Sequence, residues 1–102
     1  LDYWKHVDVV EHADCDAFWE WASRRRVHLF STKSDQSYAR IDWKPGDVLL
    51  FGPETRGLDE HLIEQHGAWA IPMTGPIRSL NLANAVAITV YAALQELNRE
   101  LF

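Results

Sequence analysis

Residues 48–57 read VLLFGPETRG, an apolar run that leads directly into a loop of turn formers and charges. An uninterrupted apolar run of this kind is typical of a parallel strand buried on both faces. We therefore expect a central strand over 47–51. The loop joins this strand to a helical pattern over 58–65, which stops at Gly67, a residue suited to a helix C-terminus.

Strand and helix patterns alternate on either side of this stretch. Short β-branched or apolar segments predict strands over 7–10, 27–32 and 69–72, whereas 33–46 is mostly loop. Asp14 or Asp16 is the expected N-cap of a helix that continues to about residue 25. The face of that helix expected to point inward carries Phe18, Trp21 and Ala22, and Trp19 is expected to point outward.

The C-terminal segment over 80–101 predicts a long helix that is apolar on most of its circumference, so it must be covered on more than one side. The alternating order of elements indicates an α/β fold with a mostly parallel sheet flanked by helices. Ligands of such sheets bind beyond the carboxyl ends of the strands. The candidate loops are therefore 31–34, 52–57 and 72–79.

Composition narrows the class of protein. The 102 residues suffice for one domain, and neither a signal peptide nor an apolar segment of about 18 residues is visible, which predicts a soluble protein without a membrane span. A single cysteine, Cys15, fits a reducing compartment, so we expect a cytoplasmic location. His61 and His66 are five residues apart and do not share a helical face, and we expect no metal site.

The net charge of −5 excludes a general positive field that would attract nucleic acid, so any RNA contacts must be local. The basic run over 24–26 is explained equally well as a phosphate clamp or as cations that complement a helix dipole.

The loop over 52–57 contains Gly52, where a backbone could approach a ligand, and the opposite charges of Glu54 and Arg56. A strand-to-helix turn with a surface ion pair is the alternative interpretation. In the next loop, Ser79 and Asn81 are natural N-cap residues, and they fit either plain helix capping or an anionic ligand at the helix start.

Two longer stretches carry a family resemblance: LLFGPETRGL at 49–58 and IPMTGPIRSLNLANAVAITVYAAL at 71–94. They resemble the second and third motifs of the SPOUT class of RNA 2′-O-ribose methyltransferases. LDYW at 1–4 and LFSTKS at 29–34 also fit, so the resemblance covers 1–102. Within the class, the chain is most similar to small tRNA enzymes that methylate the wobble cytidine or uridine.

The resemblance implies a deep trefoil knot at the C-terminal end of the α/β fold, a homodimer joined through the last helix, and S-adenosylmethionine as methyl donor. By matching position, the implied cofactor contacts are Phe30, Gly52, Ile71, Ser79 and Leu80. From their chemistry we assign catalytic roles to Arg56, which contacts a phosphate or ribose of the tRNA, to Glu54, which orients Arg56 or another site group, and to Asn81, which positions the nucleotide or the cofactor carboxylate. Tyr91 matches a family position that handles the tRNA substrate. Tyr91 is equally well explained as a half-buried interface aromatic.

The chain departs from the family pattern at one point. The first motif, an Asn-x-Gly-Asn-x-x-Arg segment that supplies an arginine implicated in activating the ribose hydroxyl, has no counterpart here. We expect it before Leu1, so that 1–102 forms the C-terminal two-thirds of the methyltransferase domain with motifs two and three. The alternatives are a related enzyme acting on another tRNA or rRNA position, and a non-catalytic knotted dimerisation or RNA-binding fragment.

Overall fold

The computed structural model describes residues 6–73, 76 and 81–102. The helices and strands follow in the order α1 Cys15–Trp21, β1 Val27–Leu29, β2 Val48–Leu50, α2 Glu60–His66 and α3 Leu82–Leu97. Short 3-10 turns cover Tyr38–Arg40 and Arg99–Leu101. The described residues thus form an α/β arrangement, as the alternation of patterns predicts.

The strands β1 and β2 are parallel and in register, with Val27 opposite Val48 and Leu29 opposite Leu50. The chain continues the ladder beyond β1, where Phe30 forms a parallel bridge with Trp69. The segment predicted as a strand over 69–72 is therefore reduced to isolated bridges. The residues of β2 are half-buried rather than buried on both faces, because β1 is their ladder partner within the described chain.

Polar side chains determine where the helices begin. The Oδ1 atoms of Asp14 and Asn81 accept hydrogen bonds of 2.8 Å from the backbone N–H groups of Ala17 and Ala83, which caps α1 and α3. Glycine marks the C-terminal end of α2. Gly67 has a positive φ of 75° and ends the helix at the residue predicted from the sequence.

The main hydrophobic core lies where the carboxyl ends of the strands meet α3. Phe30, Ile41, Trp43 and Ala93 are its buried members, and Ala93 brings the helix onto the sheet. Thr89 is also fully buried, and its hydroxyl donates to the carbonyl of Ala85, one helical turn earlier. That bond satisfies the buried hydroxyl without a partner from another element.

A polar contact fastens the opposite end of the strands. The Oδ2 atom of Asp47 lies 2.9 Å from Nε2 of His28 and 3.0 Å from the backbone N of Lys44, from which it accepts a hydrogen bond. The Asp47 side chain is only 5% exposed. Since His28 belongs to β1 and Asp47 precedes β2, the contact links the two strands at their start.

The N-terminal region differs from the sequence-based prediction. The strand expected over 7–10 is wrong, because this stretch contains a bend at Val7, shows no strand pairing, and exposes Val7, Val9 and Val10 to solvent. The helix expected to reach about residue 25 ends at Trp21, where Ala22 serves as C-cap. The basic run therefore lies beyond the helix rather than in its last turn.

The orientation of the α1 tryptophans is also reversed. Trp19 is half-buried because it stacks on His66 at the end of α2, with ring centroids 4.4 Å apart and an interplanar angle of 5°. Trp21 is 46% exposed, and the guanidinium of Arg25 lies over its ring. A contact between separate helices, which the pattern within α1 does not encode, decides which tryptophan is covered.

Candidate functional site

A cavity of about 340 Å³ opens at the carboxyl ends of β1 and β2. Its volume lies in the range of small-molecule sites, roughly 300–1,000 Å³. Three loops and the first turn of α3 line it: residues 30–33, 51–58, 69–71 and 73, together with Leu82 and Ala85. The location agrees with the rule that ligands of parallel sheets bind beyond the strand ends.

Aromatic and aliphatic side chains form the inner wall of the cavity. The rings of Phe30 and Phe51, each directly following a strand, stack with centroids 4.9 Å apart and an interplanar angle of 11°. Ile71 and Leu82 contribute aliphatic surface from the other segments. This wall suits a flat, weakly polar group such as a nucleobase.

The loop over 52–57 is closed on itself. The backbone N of Gly57 donates to the carbonyl of Pro53 at 2.8 Å, and Gly57 has a φ of 69°. A Cβ placed on Gly52 would overlap the backbone of Gly57 and the N atom of Leu58. Glycine at position 52 is therefore required by the closure of the loop itself, whatever the loop binds.

Charged side chains stand at the mouth of the cavity. Glu54 and Arg56 both line it and are exposed, and in the described chain they form no ion pair with each other within 4.0 Å. Lys33 also lines the cavity and forms an ion pair with Glu60, with Nζ 2.8 Å from Oε1. The hydrogen bond from Lys33 and its positive charge lower the pKa of Glu60 below its usual range.

The cavity brings together most of the predicted site residues. Five of them line it and come from three segments: Phe30 after β1, Gly52, Glu54 and Arg56 in the loop after β2, and Ile71.

The remaining predicted residues lie elsewhere. Asn81 caps α3 with its side-chain oxygen, and Tyr91 is 61% exposed three turns along that helix, outside the cavity lining. Ser79 and Leu80 lie outside the described residues.

Several cavity residues were not singled out from the sequence, among them Leu58 and, within the candidate loop over 31–34, Thr32 and Lys33. A signal for Lys33 was present, because its loop follows a predicted strand and so lies at the ligand-binding edge. Its ion pair with Glu60 joins residues 27 positions apart, and the local sequence pattern around Lys33 cannot predict such a distant contact.

Two further findings concern only the part of the chain that the structure describes. No cluster of three or more histidine, cysteine or carboxylate side chains there is arranged to hold a metal ion. None of the helices in the described ranges combines the length and the apolar character that a membrane crossing requires.

The chain is similar in sequence to a known family of methyltransferases. Residues 1–91 match the family described as SpoU rRNA Methylase. The chain is 38% identical over 100 residues to the tRNA (cytidine(34)-2'-O)-methyltransferase of Escherichia coli K12, which covers 95% of the chain and 64% of that enzyme. The chain thus spans less than two thirds of this relative.

Solved structures of RNA methyltransferases also superimpose on the chain. One studied for the 2-OH methylation of C/U34 on tRNA superimposes with a TM-score of 0.90 at 46% identity, covering 95% of this chain and 61% of that one. An AdoMet-bound rRNA methyltransferase from Sinorhizobium meliloti gives a TM-score of 0.71 at 34% identity, covering 81% of this chain and 33% of that one.

Proposed function

This chain belongs to the SpoU rRNA Methylase family, and on that premise we propose that it forms the cofactor-binding part of an S-adenosylmethionine-dependent tRNA 2′-O-methyltransferase that acts on the wobble cytidine or uridine. The observation that carries the proposal is the convergence of Phe30, Gly52 and Ile71, from three separate segments, on one cavity at the strand ends. The similarity to a tRNA (cytidine(34)-2'-O)-methyltransferase supports the choice of substrate.

The composition of the cavity supports S-adenosylmethionine as ligand. The stacked rings of Phe30 and Phe51 offer apolar surface for an adenine ring, and the tight loop that starts at Gly52 presents backbone groups for hydrogen bonding. Ser79 and Leu80, outside the described residues, complete the proposed cofactor contacts. When bound, the cofactor supplies an electrophilic methyl group on its sulfonium sulfur.

The residues of the chain contribute mainly by positioning. Methyl transfer to a ribose 2′ oxygen is an in-line displacement, so much of the barrier is alignment of the reacting atoms. Arg56 holds a phosphate or ribose of the RNA at the cavity mouth, since a guanidinium offers several fixed donors and stays charged. Glu54 orients Arg56 or the substrate, Asn81 helps to position the nucleotide, and Tyr91 contacts the tRNA.

The proposal extends to the whole molecule. The chain is the C-terminal two-thirds of a SPOUT methyltransferase domain, with its last helix threaded to form a trefoil knot and packed against a second copy in a homodimer. The first turn of α3, which lies beside 51–58 and 69–71 around the cavity, supports the threading. Exposed apolar residues along α3 support the homodimer.

Titration calorimetry with S-adenosylmethionine, followed by methyl transfer to total tRNA, tests the function. We expect saturable cofactor binding by the chain, and a 2′-O-methyl group at the wobble nucleotide when the chain is joined to a segment that carries the first motif. Arg56→Ala should leave cofactor affinity within about twofold and lower RNA turnover by roughly 10²-fold or more, as expected when a positioning contact is lost. A folded protein that releases no heat with S-adenosylmethionine would contradict the proposal.

The mapped nucleotide distinguishes the alternatives. A methyl group at another tRNA or rRNA position would support the proposed 2′-O-methyl transfer but replace the wobble nucleotide as its target. Cofactor affinity that falls equally in Arg56→Ala and in a variant of the cofactor wall would overturn the separation of roles.

A further inference from the structure

Lys33 is the second cation at the mouth of the cavity, and its backbone is fixed. The N–H of Lys33 donates to the hydroxyl of Ser31 at 3.1 Å, and the N–H of Ser31 donates to the carbonyl of Trp69 at 2.9 Å. The loop is held further by Ser34, whose hydroxyl donates to the carbonyl of Ala68 at 2.6 Å. Lys33 therefore leaves the sheet at a defined point on the cavity edge.

The end of the Lys33 side chain is held as well. Its ammonium lies 2.8 Å from Glu60 Oε1, in the first turn of α2, and that helix follows the loop over 52–57. An ammonium has three donors, so one bond to Glu60 leaves others free for a ligand. The Lys33 side chain is 56% exposed and at the same time lines the cavity, so a ligand at the mouth can reach it from solvent.

Resting on the proposed function, we propose that Lys33, held at the rim by Glu60, binds a backbone phosphate of the RNA strand whose ribose enters the cavity, as a positioning residue beside Arg56. Both residues line the same mouth and carry positive charge, although the chain as a whole carries −5. An RNA strand that enters the cavity here meets a positive charge at two points. Two phosphate contacts fix the orientation of the RNA strand as well as its position.

The test compares Lys33→Ala with Lys44→Ala. Lys44 is a matched control, because it also pairs with one carboxylate, that of Asp42 at 3.2 Å, and its side chain is 54% exposed, but it does not line the cavity. Filter binding of labelled total tRNA to the wild type and both variants is measured from low to high salt, and calorimetry gives the affinity for S-adenosylmethionine.

We expect Lys33→Ala to weaken tRNA binding roughly 4- to 7-fold at about 0.15 M salt and to reduce the slope of log K against log salt by about 0.7–1, the loss of one phosphate contact. Lys44→Ala should change neither quantity. Lys33→Arg should restore both, since any cation of similar reach serves a phosphate, and cofactor affinity should stay unchanged in all variants.

Equal tRNA binding by Lys33→Ala and Lys44→Ala would overturn the inference and leave the proposed function intact. Loss of cofactor affinity in Lys33→Ala with an unchanged salt slope would also overturn it, by assigning Lys33 to the cofactor carboxylate. A wild-type protein that binds neither S-adenosylmethionine nor tRNA would instead contradict the proposed function.

Discussion

At the scale of single residues, Gly52 shows how one position can serve both the fold and the site. Its missing Cβ lets the loop over 52–57 close against Leu58, and that closed loop forms one side of the cavity. The sequence suggested a different reason for glycine, namely close approach of a ligand. The two reasons act together, because only a closed loop presents its backbone to the cavity.

Gly52→Ala should therefore open the loop and damage both stability and the site. Overlap with backbone has no flexible side chain to relieve it, so we expect a loss of about 1–3 kcal/mol in the free energy of unfolding. Affinity for S-adenosylmethionine should fall at least about tenfold if the loop is a cavity wall. Guanidinium denaturation and calorimetry measure the two effects.

Gly46→Ala is the control for this substitution. Gly46 has a φ of 86° and open space around its missing Cβ. Alanine there costs about 1–2 kcal/mol of left-handed strain but leaves the cavity untouched. A Gly52→Ala protein with unchanged cofactor affinity would show that the loop is not part of the cofactor site.

Residue identities at chain turns were largely predictable, whereas pairings between distant residues were not. Asp14, one of the two N-caps considered for α1, and Asn81 each begin a helix, and Gly67 ends one, as their residue types predict, because capping depends on neighbours within a few residues. The stack of Trp19 on His66 depends on how α1 and α2 meet, and no local pattern contains that information.

At the scale of elements, the pairing of β1 with β2 depends on a polar contact at its start and on the hydrophobic core at its end. Asp47 accepts from the Lys44 backbone, lies 2.9 Å from His28 and stands 3.5 Å from the guanidinium Nε of Arg26. The parallel direction was predictable from the apolar run over 48–50. The residue that joins the strands was not, because its partner lies 19 positions earlier.

Asp47→Ala should destabilise the strand pair by about 1–3 kcal/mol, because it leaves the buried ring nitrogen of His28 without its partner. Asp42→Ala is the control, since Asp42 forms a surface pair with Lys44 through a side chain that is 71% exposed. That change should stay within about 0.5 kcal/mol. Equal denaturation midpoints for the two variants would show that the Asp47 contact contributes nothing to the strand pairing.

At the scale of the whole molecule, the distribution of charge matters more than its sum. Carboxylates outnumber lysine and arginine by 15 to 10, yet the described cavity lining contains two cations, Lys33 and Arg56, and one carboxylate, Glu54. The net charge of −5 argues against a general attraction for nucleic acid. It could not reveal a local pair of cations, because the two residues are brought together by the fold.

The exposed face of α3 carries the last prediction. On this helix Tyr91 is 61% exposed and Ile88 and Leu94 are each 37% exposed, whereas Thr89 and Ala93 on its other side are buried. Among the described residues, one face of α3 therefore packs inward and the opposite face leaves apolar side chains partly exposed. If Tyr91 is instead the interface aromatic of the alternative interpretation and that face joins two copies, Tyr91→Glu should convert a dimer into a folded monomer, because it places a charge among apolar side chains of the partner. Sedimentation velocity gives the oligomeric state, and thermal unfolding shows whether the variant remains folded. Ser23→Glu adds the same charge to an exposed turn beyond α1 and should leave the dimer intact. A wild-type monomer, or a dimer that survives Tyr91→Glu, would show that this face does not join two copies.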